Sequence, residues 1–418
     1  MINQMKIGEK IKTYTKLIKK LIKKMSEEKT PDYVQRVIDN FSKIDNKELK
    51  YLLDEVKNAD CIIIYGAGRS FYALCVGMSQ MAGIKSVMSP EDVGFPGIKR
   101  VCEKYEKVLL LVASGSGTTK TVINLVEDYT QFVFEAKISD RAKLVAITST
   151  PKSELGETAK KCGGVLKLEG RTKDAEELTA RDRFKGYGIM GDQFELALLS
   201  LSQRIVEAVD ENKDVDYILE RAEKQFALIR KNIDDITINK KDTYKKIIDI
   251  MAEPHSITLG GLAHGSFVAS MNAIRLMHIK RALGDEVFVC GRENTPNPRF
   301  RDLVILISYS GETPTIKAWF DAFKDKQIGA RVLAIAGNQD SYLTNNADYQ
   351  FILETPSPRL VGKKTRGSPI VRRKEVNSFY EIAAYVMSTI PLSICEDLEN
   401  KGIKLPEYLL KWYHTNIA

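Results

Sequence analysis

A chain of 418 residues with 44% hydrophobic and 28% charged side chains has the composition of a globular protein large enough for two cores. It holds no apolar run of the length a bilayer span requires, and its N-terminus lacks the uninterrupted apolar stretch of a secretory leader. The net charge of +8 would suit an anionic small molecule, but it is spread along the chain and is weak evidence for nucleic acid; neither nucleic acid nor membrane is expected as a partner.

In chain order, residues 1–25 form a lysine-rich helical pattern with Ile7, Ile11, Leu17, Ile18, Leu21, Ile22 and Met25 near helical spacing. Its apolar stripe is expected to pack on the protein or on a second subunit. Pro31 interrupts it, and a second helical stretch over about 32–58 leads into a strand, Cys61-Ile62-Ile63-Ile64-Tyr65, closed by Gly66-Ala67-Gly68-Arg69-Ser70. The glycines resemble the start of a dinucleotide fingerprint, but its third glycine would fall on Phe71, so NAD binding is set aside. Two further strands follow, Val108–Ala113 and Leu144–Ser149, and then a helix carrying Gln193-Phe194-Glu195-Leu196. A polar helical stretch over about 207–252 leads into a second series of the same kind. The six cysteines lie far apart without metal-ligand spacing, as expected of reduced thiols in a cytoplasmic protein.

The second series repeats the landmarks of the first. Ile257-Thr258-Leu259-Gly260-Gly261 leads to Leu262-Ala263-His264-Gly265-Ser266, in which Arg69 has no apparent counterpart. Ser114-Gly115-Ser116-Gly117-Thr118-Thr119 returns as Ser308-Tyr309-Ser310-Gly311-Glu312-Thr313, each time between a strand and a helical pattern. Val332–Gly337 repeats the third strand, Leu155 and Ala159 recur as Leu343 and Ala347, and Phe379-Tyr380-Glu381-Ile382 repeats the acid-bearing helix. Order and spacing agree, so the chain is an internal duplication. Strands alternating with helices in each half predict a parallel sheet covered on both faces. A Ser/Thr/Gly turn ahead of a helix N-terminus is a natural phosphate cradle, although simple N-capping would also use those residue types.

These residues resemble the sugar isomerase (SIS) domain family. The resemblance rests on the glycine turns ending at Ser70 and Ser266, the paired Ser-x-Ser-Gly-x-Thr turns, and the helices bearing Glu195 and Glu381. Gly66-Ala67-Gly68-Arg69-Ser70, Gly170-Arg171-Thr172-Lys173, Arg275-Leu276-Met277-His278 and Thr295-Pro296 look most like 3-hexulose-6-phosphate isomerases. The family implies an α/β class, with two tandem SIS domains, each a three-layer α/β/α sandwich around a parallel sheet of about five strands with ligand at the strands' carboxyl ends. The expected divisions are a helical segment 1–50, SIS domains at 51–205 and 251–400, a connector 206–250 and a tail 401–418. The two domains should pack as an intramolecular pseudo-dimer and assemble further as a homo-oligomer.

The resemblance assigns phosphosugar binding to Arg69, Ser70, Ser114, Ser116, Thr118 and Thr119, and to Ser266, Ser308, Ser310 and Thr313. The expected reaction moves a carbonyl along a sugar 6-phosphate through an enediol, with no metal and no organic cofactor. It needs a base, and a carboxylate among apolar neighbours or a neutral imidazole suits that task. The candidates are Glu195, Glu381, His264 and His278, with Glu381 favoured because its half also holds both histidines. His278 is expected to match Ala82 or a near neighbour in the first half; His255 and His414 are expected to be inert. A buried structural glutamate paired with an arginine is the competing reading of each acid. Rival functions are another aldose–ketose isomerase or an amino-sugar phosphate deaminase, and a phosphosugar sensor without turnover.

Overall fold

The computed structural model describes residues 33–171, 192–292, 295–325, 327–356, 359–361 and 374–403. The lysine-rich segment at 1–25, Thr172, Lys173 and His414 lie outside the described residues, as does Gly362-Lys363-Lys364-Thr365-Arg366, whose sequence loosely echoes Gly170–Lys173.

Two helices, α1 (Tyr33–Phe41) and α2 (Asn46–Asn58), precede the first sheet. Asp45 caps α2 by accepting from the Lys47 and Glu48 backbone N–H groups, and Leu49, Leu52 and Leu53 on its inner face are buried. Helix α2 thus crosses the position at which the first domain was expected to begin. The first half continues as β1 (Cys61–Gly66), α3 (Arg69–Met78), β2 (Ser86–Met88), α4 (Ile98–Lys104), β3 (Val108–Ala113) and α5 (Lys120–Glu135). It closes with β4 (Ala142–Thr148), α6 (Glu154–Cys162), β5 (Gly163–Lys167) and α7 (Asp192–Asp210).

Helices α8 (Val215–Asp234) and α9 (Lys241–Ala252) connect to the second half. There β6 (Ile257–Gly261), α10 (His264–Ala282), β7 (Val287–Val289), β8 (Leu303–Ser308) and α11 (Pro314–Lys324) follow. After them come β9 (Arg331–Ala336), α12 (Tyr342–Asn346), β10 (Tyr349–Ile352), a short antiparallel pair, β11 (Arg359–Val361) and β12 (Lys374–Val376), and the long α13 (Phe379–Asn400).

Each half has one five-stranded parallel sheet, in the order β2-β1-β3-β4-β5 and β7-β6-β8-β9-β10. All six residues of β3 and all six of β8 are buried, which is why these strands run as continuous apolar stretches, broken only by Ser308 at the end of β8, and do not alternate. In this strand order the chain reverses direction between β1 and β3, and between β6 and β8. Open parallel sheets bind ligands at such a reversal, beyond the carboxyl ends of the strands.

The outer face of each sheet has its own core. Val122 and Val126 of α5 cover Leu110 and Val112 in the first half, and Ile316 and Phe320 of α11 cover Val304 and Leu306 in the second. The inner faces share one. Leu74 and Val76 of α3, Leu198 of α7, Met271 and Leu276 of α10, and Ile382 and Val386 of α13 belong to a single buried cluster. All six cysteines are free and buried, and burial pushes the thiols of Cys61, Cys290 and Cys395 up to about 12. Among the described residues no helix is long and apolar enough to cross a membrane.

Candidate functional site

Both serine turns lie at the carboxyl ends of β3 and β8, beside the reversals in strand order. In the first, the Ser114 hydroxyl accepts from the Gly117 N–H at 3.2 Å and lies 3.2 Å from the Thr119 hydroxyl. In the second, Ser308 accepts from Gly311 N–H at 3.2 Å and lies 3.4 Å from the Thr313 hydroxyl. Gly117 and Gly311 both have positive φ, 68° and 65°. A Cβ on either would strike the next cap, Ser153 Oγ at 1.9 Å or Ser341 Oγ at 2.0 Å. Thr119 and Thr313 are the N-caps of α5 and α11, yet neither side chain makes a capping bond. The N-capping explanation therefore does not account for these two hydroxyls.

The turns differ in what surrounds them. Arg171 lies over Gly115 in the first half: a Cβ there would meet the Arg171 Cδ at 2.7 Å and the Phe194 ring at 3.1 Å. The Arg171 N–H donates to Ser149 Oγ at 3.1 Å. The start of α7 meets this turn through Phe194. In the second half Tyr309 takes the place of Gly115, and its ring covers Gly337, where a Cβ would meet Cδ2 at 2.5 Å. Glu312 takes the place of Thr118, accepts from the Tyr342 N–H at 2.5 Å and pairs with Lys317 at 3.0 Å.

The glycine turns match in backbone and are displaced in sequence. Gly68 (φ 56°, ψ −126°) and Ala263 (φ 49°, ψ −118°) cap α3 and α10 in the same unusual conformation. Gly66 pairs with the residue before Ser114, and Gly261 with the residue before Ser308. Arg69 therefore does have a counterpart, and it is His264. Ser70 corresponds to Gly265, so Ser70 and Ser266 are not equivalent. Ser70 is buried, whereas the Ser266 hydroxyl donates to Ala263 O at 2.7 Å. His264 lies against Tyr380, ring centroids 5.3 Å apart.

Each acid is met by an arginine from the opposite half. Glu195 Oε2 lies 2.7 Å from Arg69 Nε and 3.2 Å from Arg275 Nη2. Asp192 Oδ1 lies 2.8 Å from Arg69 Nη1 and 3.0 Å from Arg275 Nε. The four side chains form a neutral cluster, at most 6% exposed, that ties α3, α7 and α10 together. Glu381 is fully buried; it accepts from Ser200 Oγ at 2.6 Å and Arg204 Nη2 at 2.8 Å, both on α7. Burial pushes the Glu381 carboxyl up, and Arg204 and Ser200 pull it back down. Asp192, Arg204 and Ser200 were not foreseen as partners, since their pairings span distant stretches of chain; a charged residue in an apolar helix was the one signal available.

Counting from the matched Gly68 and Ala263 places Gln80 against Arg275 and Gly83 against His278. Contacts support this. Arg275 reaches Asp192 at the start of α7, and Gln80 Oε1 accepts from the Asn377 N–H ahead of α13 at 3.0 Å. His278 stands one helical turn beyond Arg275, part-buried on the helix that crosses to the first half.

No family model matches the chain. An uncharacterised protein of Archaeoglobus fulgidus is 28% identical over 145 residues, 35% of this chain and 73% of that protein. The 3-hexulose-6-phosphate isomerase of Mycobacterium gastri is 28% identical over 155 residues, 37% of this chain and 72% of that protein. A solved structure of a putative tagatose-6-phosphate ketose/aldose isomerase from Clostridium novyi NT superposes with TM-score 0.57 at 17% identity, covering 92% of this chain and 89% of that one. The tagatose-6-phosphate ketose/aldose isomerase of Escherichia coli gives 0.52 at 14% identity, covering 88% and 90%. Two parallel sheets in the same strand order, with paired serine turns and acid-bearing helices, give this chain the fold of a tandem pair of sugar isomerase (SIS) domains.

Proposed function

We propose that the protein is a phosphosugar isomerase that moves a carbonyl along a sugar 6-phosphate through an enediol, with a hexulose 6-phosphate as its substrate. The observation that carries this reading is the first serine turn. Ser114, Ser116 and Thr119, the N-terminus of α5 and the Arg171 side chain converge at the end of β3, with the start of α7, which carries Glu195, adjoining through Phe194. Free helix N–H groups and a guanidinium favour a phosphate dianion there. The likeness to 3-hexulose-6-phosphate isomerase supports the substrate class.

Isomerisation requires removing the proton alpha to the carbonyl and returning one to the neighbouring carbon. In this reading Glu195 takes that proton, Arg69 and Arg275 fix its carboxylate in place, and His278 assists ring opening. Thr118 and Ser70 complete the sugar side of the first site. Glu381, although matched to Glu195, is enclosed by α7. The expectation that favoured it rested on its sharing a half with His264 and His278. Helix α10 instead delivers Arg275 to the first half.

Solvent-deuterium exchange at the sugar carbon tests the assignment. Glu195→Gln should lower turnover by about 10²–10⁴-fold with little change in substrate binding. Exchange at the wild-type rate in Glu195→Gln, with loss of exchange in Glu381→Gln, would move the base to the second half.

A further inference from the structure

Resting on that reading, we propose that the chain holds one phosphosugar, in the first half, and that Tyr309 and Glu312 close the second serine turn to phosphate. The second turn keeps the hydroxyls of Ser308, Ser310 and Thr313 and the positive φ of Gly311, but the positions around them are altered. Arg171 corresponds to Pro356: Leu168 N–H donates to Thr148 O, Leu353 N–H to Ala336 O, and each residue lies three places further on. At that position the second turn carries a proline in place of the arginine. Gly115 corresponds to Tyr309, and the paired change of Ser149 to Gly337 makes room for its ring, since Ser149 N–H donates to Gly115 O as Gly337 N–H does to Tyr309 O. Thr118 corresponds to Glu312, which adds a carboxylate at the mouth of the cradle. The positive charge beside it, Lys317, is already spent on that carboxylate at 3.0 Å.

The same inequality holds across the interface. The second half sends Arg275 to the acids of the first, with His278 one turn further along the same helix, while the matching positions of the first half hold Gln80 and Gly83. Gln80 bonds Gln203 at 2.6 Å and the Asn377 backbone, so it serves the structure of the interface. The second half is therefore a donor of side chains to its neighbour's site. Its own hydroxyl turn keeps the backbone geometry, with Tyr309, Glu312 and Pro356 where the first has Gly115, Thr118 and Arg171.

Isothermal titration of the full chain with fructose 6-phosphate, and separately with inorganic phosphate, tests this. One molecule bound per chain is expected, with Ser116→Ala weakening it about ten-fold or more, because a bond to a charged group is lost. In a Tyr309→Gly, Glu312→Thr double variant a second, weaker binding event should emerge. Two molecules bound per wild-type chain, or undiminished affinity in a folded Ser116→Ala variant, would overturn the inference and leave the phosphosugar reading standing. Binding of neither probe would overturn both.

Discussion

At the scale of single residues, the most exposed test of the turn geometry is Ala263. Its φ of 49° with ψ of −118° suits glycine, as at Gly68, and costs an alanine about 1–3 kcal/mol. Ala263→Gly gives back part of that in unfolded-chain entropy, so a net gain of about 1 kcal/mol is expected in urea unfolding; a loss of stability would show the conformation to be unstrained. A second test concerns Glu381. Because burial raises its carboxyl, the folded protein holds that proton where the unfolded chain, near pH ~4.3, has already released it. Stability should fall as pH rises from that value through the raised one and level off above it. Glu381→Gln should remove this slope from the pH dependence of Tm, and an unaltered slope would assign it elsewhere. Sequence led directly to the hydroxyls of both cradles and to both acids, since residue type and spacing announce them. It led to the wrong partner for Ser266, because pairing Gly-Ser with Gly-Ser ignores a positive φ that only one half marks with glycine.

At the scale of elements, α3, α7 and α10 are joined by four buried charges that sum to zero. Such a cluster need not be stabilising relative to apolar residues, but it is costly to break. Arg275→Met should destabilise the protein by about 3–5 kcal/mol by leaving two carboxylates to one arginine. Adding Asp192→Asn should then cost much less than it does alone, because the double variant restores charge balance; additive losses would mean the four groups do not act together. Strands and helices were legible here from apolar runs and turn residues. The cluster was not. Arg69 and Arg275 each stood in a quoted motif, but nothing local to either says that they meet on one oxygen of Glu195. The competing reading, a buried glutamate paired with an arginine, described that acid's surroundings; its place on the helix whose Phe194 meets the first serine turn is what keeps it a candidate base.

For the whole molecule, the single inner core shared by α3, α7, α10 and α13 means that neither half can present its inner face to water. A fragment ending after α7 should be insoluble or self-associate, burying Leu74, Val76 and Leu198 against a second copy. A well-behaved monomer in light scattering at high concentration would argue that the halves are independent. The duplication was plain in the sequence; which half serves which was not, because that depends on helices crossing between them. One consequence concerns how such a chain can change over generations. In a symmetric pair of identical subunits, any substitution strikes both sites at once, so a Glu at the position of Thr118 would disable the pair together. Once the copies are joined, a substitution lands on one alone. Selection can then guard Arg171 and the first cradle while Tyr309 and Glu312 drift in beside the second, and the spare copy persists because its helix still furnishes what its neighbour lacks.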